Sequence, residues 1–392
     1  MQKGYICITT KKRKKVMKIV LAIDSLKGCL TSRQAEEAAR EGILRVKPGC
    51  EVCCLPVSDG GEGMLETFAA AGMLRRMSAM VHGPLMETLQ ADYGVSPDGR
   101  TAFIEMAAAC GLPLVPLEKR NPMVTTTRGL GELMADAVLR RGCRRLLIGL
   151  GGSATSDAGA GMLQALGYQL TDRAGHELEP GGGALVRLAE VDAGGVSPLW
   201  EACEVKVACD VRNPLFGPQG AACVFAPQKG ADARMVEVLD DGLRRFADVT
   251  RRVTGRDISL LPGAGAAGGV GGALAAYLGA TLEPGIRLLL RVLDFDRHVA
   301  GADLVITGEG HADSQSLMGK VPAGVLEAAA AQRVPVALIA GRISDEEELK
   351  KAGFAAVCCI NPPGVSPEEA MRPDYAAQRI AETVARLVEE DV

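Results

Sequence analysis

Along the chain, short apolar blocks alternate with longer stretches in which apolar or small residues recur every three to four positions. The first block, KIVLAID, reads as a strand. The segment SRQAEEAAREGILRV after it carries apolar or small residues at 35, 38, 39, 43 and 46, one face of a helix. Thr31 and Gln34 stand at capping-box spacing at its start. A second unit repeats the scheme, with EVCCLPVS as strand, DGGEG as loop and MLETFAAAG as helix. The texture then changes at HGPLMETLQADYGV, which sets a boundary near residue 80.

The C-terminal region returns to the same grammar. DLVITG reads as a strand, GEGHADSQSLMGK as a loop and the segment opened by Pro322 as a helix. VPVALIAG and AAVCCIN are further strands, with a closing helix around 375 to 390. Alternating β and α units imply a parallel sheet covered on both faces. We therefore expect an α/β protein with one doubly wound, flavodoxin/Rossmann-like domain built from residues 1–79 and 290–392, and an inserted second α/β domain over 80–289. Within the insert RRLLIGL reads as a strand, GGSATSD as a loop and AGAGMLQALG as a helix. EVKVACDV and GAACVFAP read as strands, and PGAGAAGGVGGALAAYLG as a loop feeding a helix.

Composition narrows the function. The 392 residues, 47% hydrophobic and 23% charged, suffice for two globular domains with cores. A net charge of −4 without a large basic patch argues against nucleic-acid binding, and no apolar run reaches the ~18 residues of a membrane span. The basic cluster before KIVLAID resembles a signal peptide only superficially: Lys18 and Asp24 interrupt the apolar stretch and no small-residue cleavage pattern follows. Met17 suits the start of the folded sequence, leaving residues 1–16 as an extension without functional role. The twelve cysteines are scattered through apolar runs, and the CxxC of Cys50 and Cys53 has no second pair, so a reduced cytoplasmic setting without a zinc site is expected.

In open α/β sheets ligands bind at the carboxyl ends of the strands. Five loops that follow strands carry polar clusters: Asp24, Ser25 and Lys27; Asp59, Gly60, Gly61 and Glu62; Gly151 through Asp157; Asp210 with Asn213; and Glu309, Asp313 and Lys320. They are expected to converge on one cleft. Gly151, Gly152, Ser153 and Thr155 ahead of a helix suit a phosphate cradle, and the neighbouring carboxylates of Asp157 and Asp210 suit Mg²⁺. Phosphoryl transfer needs a lysine to neutralise charge, which Lys27 or Lys320 supplies, and an acid to orient the attacking hydroxyl, for which Asp59, Glu309 and Asp313 all qualify. The same residues have plainer uses: Asp157 fits a helix cap, Glu62 a first-turn acid, and Asp59-Gly60-Gly61 a tight turn.

Two glycine patterns need separate treatment. Gly319-Lys320 is no P-loop, because Ser314 occupies the first glycine position and Val321 the Ser/Thr position. Gly263-Ala264-Gly265-Ala266-Ala267-Gly268 does match GxGxxG and carries the alternative reading, an NAD(P)-dependent oxidoreductase. The next acid, Glu283, fits a ribose-binding position poorly.

Taken in order, AIDSLKG, LPVSDGGEG, NPMVTTTRGLGEL, GLGGSATSDAGAGMLQALG, CDVRNPLFGPQGAACVFAPQKGA, PGAGAAGG and ITGEGHADSQSLMGK resemble the bacterial glycerate kinase type I family over residues 17 to about 390. The resemblance implies ATP-dependent, Mg²⁺-assisted phosphorylation of D-glycerate, usually to 2-phosphoglycerate, on two α/β domains. Together with the residue reading, this places catalysis, as a hypothesis, with Lys27, Asp59, Glu309, Asp313 and Lys320, and substrate contacts with Asp24, Ser25, Gly60, Gly61, Glu62 and His311. ATP falls to Gly151, Gly152, Ser153, Thr155, Gly263, Gly265 and Gly268, and the metal to Asp157 and Asp210. Small molecules are the expected partners, with a monomer or a homodimer both compatible. The chain departs from the family pattern at Leu26, where Phe is usual, at Ser156 and Ala158 for Asn and Gly, at Ala226 for Gly, and at His311 for Arg. A histidine at 311 would be a weaker, pH-dependent partner for an anion than arginine.

Overall fold

A computed structural model describes residues 16–58 and 63–390. Residues 1–15, 59–62, 391 and 392 lie outside that range, and with them the expectations for a leading extension and for Asp59, Gly60, Gly61 and Glu62.

Two sheets carry the fold. One holds β1 (Lys18–Ile23), β2 (Glu51–Cys54), β11 (Leu304–Ala312), β12 (Val336–Ile343) and β13 (Ala356–Cys359), all parallel, in the order β13-β12-β11-β1-β2. That is the flavodoxin-type doubly wound order expected from the two chain ends. The other runs β10-β9-β6-β5-β4-β3, from β3 (Arg75–His82), β4 (Thr88–Val95), β5 (Thr101–Glu105), β6 (Arg145–Gly149), β9 (Glu204–Ala208) and β10 (Thr281–Glu283). Its pairings from β5 to β10 are parallel, whereas β3-β4 and β4-β5 are antiparallel. A small hairpin-like pair, β7 (Gln169–Thr171) and β8 (Glu190–Asp192), stands apart.

Alternation along the strands sorts the apolar side chains into layers. Ile19, Leu21 and Ile23 of β1 pack under the helices Ser32–Val46 and Pro373–Glu389, while Val20 and Ala22 face the opposite side. On that side lie the helices Met64–Ala70, Gly285–Val292 and Val321–Ala331, and across them Phe103, Leu147 and Ala208 of the second sheet join the same cluster. One helical layer is therefore shared between two sheets. The second sheet's other face, with Ile104, Leu146, Ile148 and Val207, is covered by the helices of the 107–278 segment. Period-two burial of this kind is what a sheet with both faces covered demands.

Local signals mostly hold. Thr31 and Gln34 form both halves of the capping box that opens Ser32–Val46. Two expectations change. GAACVFAP is not a strand: Ala221–Phe225 is a short helix, because the sheet edge beside β9 is already taken by β10 and the buried Ala221 and Ala222 pack against the long helix Ala233–Thr254. GEGHA is not loop either, since β11 runs on through Ala312, pairing Glu309 with Ala340 and His311 with Arg342.

The connection from β10 through Gly285–Val292 to β11 crosses from one sheet to the other, as does that from β2 through Met64–Ala70 to β3. No described helix is long and apolar enough to cross a membrane.

Candidate active site

At the carboxyl edge of the first sheet a cleft of about 1180 Å³ is lined by Asp24, Lys27, Glu309, His311, Lys320 and Arg342, with an apolar wall that includes Pro362 and Met371. Asp24 ends β1 and is buried; its amide donates to Gly308 O at 2.9 Å, and its Oδ1 accepts the Ser25 amide at 2.7 Å. Lys27 and His311 are exposed, and His311 Nε2 sits 3.0 Å from Ser344 Oγ. Glu309 differs from its neighbours. Only 8% exposed, it has an Oε1 atom with no hydrogen-bond partner. Burial raises its pKa from the ordinary 4.5, while Ser316 and Lys320 oppose the shift. A desolvated carboxylate with a spare oxygen, in a cleft that also holds Lys27 and Lys320, is suited to receive a proton from a hydroxyl group.

A second, smaller depression of about 420 Å³ lies at the carboxyl edge of the other sheet, lined by Gly151, Gly152, Ser153, Asp210, Lys229 and Ala267 among others. It shares no lining residue with the larger cleft, so the polar turns expected in one cleft divide between two. Asp210 Oδ1, at the smaller depression, accepts the Gly285 amide at 2.8 Å, and the Leu65 amide donates to Glu105 Oε1 at 2.9 Å at the end of β5.

Lys229 is the residue that sequence reading passed over. It is 3% exposed, and its Nζ donates to Ser153 Oγ at 2.9 Å and to Thr155 O at 2.6 Å. Desolvation drives its pKa down to about 7, with Asp157 opposing. The signal available in the sequence was PQKGA, a lysine between Pro and Gly that a solvated helix would not need; its burial arises only in three dimensions. Arg342, brought beside His311 by the β11-β12 register, was likewise not legible.

Several expected ligands serve the protein instead. Asp157 is completely buried, and its two oxygens accept from Thr127 N and Oγ1, Gly159 N, Gly161 N and, more weakly, Thr126 Oγ1. Fully enclosed and committed to these protein donors, that carboxylate is not open to a solvated ion, so the metal expectation for Asp157 is corrected to its alternative, a capping role. Asp313 caps the turn Ser314–Leu317 through a box with Ser316 and is not among the cleft-lining residues. Gly263, Gly265 and Gly268, expected to face a nucleotide, face protein. A Cβ at Gly265 would sit 2.4 Å from Pro214 O, and one at Gly268 2.2 Å from Thr155 O; at Gly263 it would meet Cys209 Sγ at 3.0 Å. The GAGAAG loop also follows the helix Ala233–Thr254 and not a strand, so it lacks the βα setting of a dinucleotide fingerprint. Thr155 is fully buried, with its backbone carbonyl held by Lys229.

Mg²⁺ takes one or two carboxylates together with phosphate oxygens and water. Asp210, exposed at the depression, fits that demand, and no set of three or more His, Cys, Asp or Glu side chains among the described residues forms a metal cage. A further pocket of about 550 Å³, lined by Phe103, Arg145, Lys206 and Arg291, lies at the amino ends of β5, β6 and β9 and holds none of the expected residues.

A flavodoxin-order sheet whose strand ends present carboxylates and lysines to an open cleft defines an α/β enzyme acting on small polar molecules. The model of the glycerate kinase family matches residues 19–389. The chain is 49% identical over 368 residues to a glycerate kinase of Bacillus subtilis, covering 94% of this chain and 96% of that protein. It is 46% identical over 375 residues to a glycerate 2-kinase of Escherichia coli, covering 94% and 98%. A solved structure named for a glycerate kinase 2 of Salmonella typhimurium LT2 superposes with a TM-score of 0.86 at 42% identity, covering 96% of this chain and 98% of that one. The chain belongs to the glycerate kinase family.

Proposed function

We propose that the protein transfers the terminal phosphoryl group of ATP to a hydroxyl of D-glycerate in the cytoplasm, giving 2-phosphoglycerate in preference to the 3-isomer. The observation that carries the catalytic assignment is Glu309, buried with an unpartnered oxygen in a cleft that also presents Lys27 and Lys320. Glu309 orients and deprotonates the attacking hydroxyl, while Lys27, Lys320 and Arg342 hold the carboxylate of glycerate and spread the charge of the transferring group. Asp24, Ser25 and His311 line the same cleft, and Asp59, Gly60, Gly61 and Glu62 keep the acid and substrate-contact roles proposed from the sequence.

The polyphosphate end of ATP lies in the smaller depression, against the turn of Gly151, Gly152 and Ser153. Mg²⁺, when bound there, screens the phosphate charge, and Asp210 is the side chain that would hold it. Two α/β domains, 1–79 with 290–392 and 80–289, would bring donor and acceptor together by a relative movement that closes on the bound substrates.

The test is direct: purified protein, ATP, Mg²⁺ and D-glycerate, with products identified by phosphorus NMR. Appearance of a phosphomonoester on carbon 2 is the expected result. Unchanged ATP and glycerate would reject the reading. Asp210→Asn should raise the Mg²⁺ concentration needed for half-maximal rate without abolishing turnover.

A further inference from the structure

The ammonium of Lys229 is buried among neutral partners, a hydroxyl and a backbone carbonyl. Two of its three protons are used, and no acceptor among the described residues is recorded for the third. The anion that acts on it most, Asp157, already accepts from amide and hydroxyl donors of Thr127, Gly159 and Gly161 and makes no hydrogen bond to the lysine. The other titratable groups lining the depression are Asp210, whose Oδ1 accepts from Gly285 N, and Cys209, whose thiol burial pushes up to about 11 and so keeps neutral. A lysine held this way costs free energy unless an anion arrives to pair with it. The wall around it is a glycine turn, with Gly152 at φ 71, a conformation in which backbone amides can approach an anion closely.

We infer that the depression beside Gly151 to Ser153 is an anion subsite in which Lys229, through its third N–H, supplies the positive charge that receives a phosphate oxygen. The inference rests on the placement of the polyphosphate in this depression. A consequence follows for protons. At pH 8 the unliganded amine, with a pKa near 7, is mostly neutral; pairing with a phosphate restores its charge, so binding draws a proton from the buffer. Ser153 and Thr155 then act as positioning residues, fixing the amine so that it meets the ligand without reorganising.

The experiment is isothermal titration of the full-length protein with ADP, and separately with D-glycerate, at pH 8 in buffers of different ionisation enthalpy. At this pH a phosphate, with its second pKa near 6, is already fully ionised, so uptake reports on the protein. The expected result is uptake close to one proton per ADP, absent from Lys229→Met, with ADP affinity in that variant at least tenfold weaker. Lys229→Gln, which retains a donor for Ser153 or Thr155, should also lose the uptake, and a folded far-UV spectrum and unchanged D-glycerate affinity exclude a collapsed site. A purely structural lysine would leave proton uptake at zero in the wild type. Tight ADP binding with no uptake and no effect of Lys229→Met would overturn the role of Lys229 while leaving the phosphate placement standing. Uptake on D-glycerate and none on ADP would instead overturn the placement, making the anion in this depression a carboxylate.

Discussion

Asp157 and Thr127 are joined twice: Asp157 Oδ2 accepts both the Thr127 amide and the Thr127 hydroxyl, each at 2.9 Å, in a site that solvent does not reach. The Thr127 hydroxyl also accepts the Met162 amide at 2.9 Å, so one carboxylate ties the start of the helix Arg128–Ala135 to the start of Ala160–Ala165. Buried acceptors with several donors are costly to remove, because each abandoned N–H stays desolvated. Asp157→Ala should lower unfolding free energy by on the order of 3 kcal/mol in urea titration. The Mg²⁺ dependence of whatever activity survives should be unchanged, which separates this role from metal binding.

Glu309 sets a pH dependence. Its pKa is raised by burial above 4.5 and the base role proposed for it needs the ionised form, so the acid limb of kcat/KM should fall at a pH above the ordinary carboxylate range. Lys320 lowers that pKa; Lys320→Ala should therefore move the limb to still higher pH. Glu309→Gln should remove the limb and reduce kcat by roughly 10²–10⁴. A pH–rate profile for the three proteins checks all of this, and an unmoved limb in Lys320→Ala would separate the lysine from the acid.

A different carboxyl controls stability. Glu36 is fully buried in the helix Ser32–Val46, with Oε1 accepting the Ile23 amide at 3.3 Å and Oε2 unpartnered, and burial holds its pKa well above 4.5. A group with a raised folded-state pKa contributes stability that is complete below the unfolded value, near 4.5, and lost as pH rises through the folded value. Denaturation midpoints should decline over that window in the wild type. Glu36→Gln, which keeps an acceptor for Ile23 but cannot ionise, should flatten the decline.

Gly268→Ala tests the packing account of the GAGAAG loop. Gly268 has φ 68, and an added Cβ would lie 2.2 Å from Thr155 O, so both backbone strain and overlap oppose any side chain. The combined cost should be on the order of 3 kcal/mol, read as a lower melting temperature. The opposing turn is itself strained: Ala158, at a position where the family pattern has Gly, adopts φ 51 and donates its amide to Gly268 O at 3.0 Å.

The sequence by itself determined the repeating β-loop-α units, the capping box of Thr31 and Gln34, the joining of both chain ends into one parallel sheet and the turns that carry the polar residues. Those features depend on periodicity and near neighbours, which a chain displays locally. Only the tertiary structure decided what each polar residue faces. It continued β11 through Glu309 because β12 lies alongside, and turned GAACVFAP into a helix because β10 occupies the neighbouring edge. It enclosed Asp157 between the nearby Gly159 and Gly161 amides and Thr127, 30 positions distant, and buried Lys229 against Ser153, 76 positions distant. Desolvation and hydrogen bonding, the quantities that make a carboxylate a cap or a base and a lysine a structural pin or an anion receptor, belong to the packed environment and leave no mark on sequence spacing.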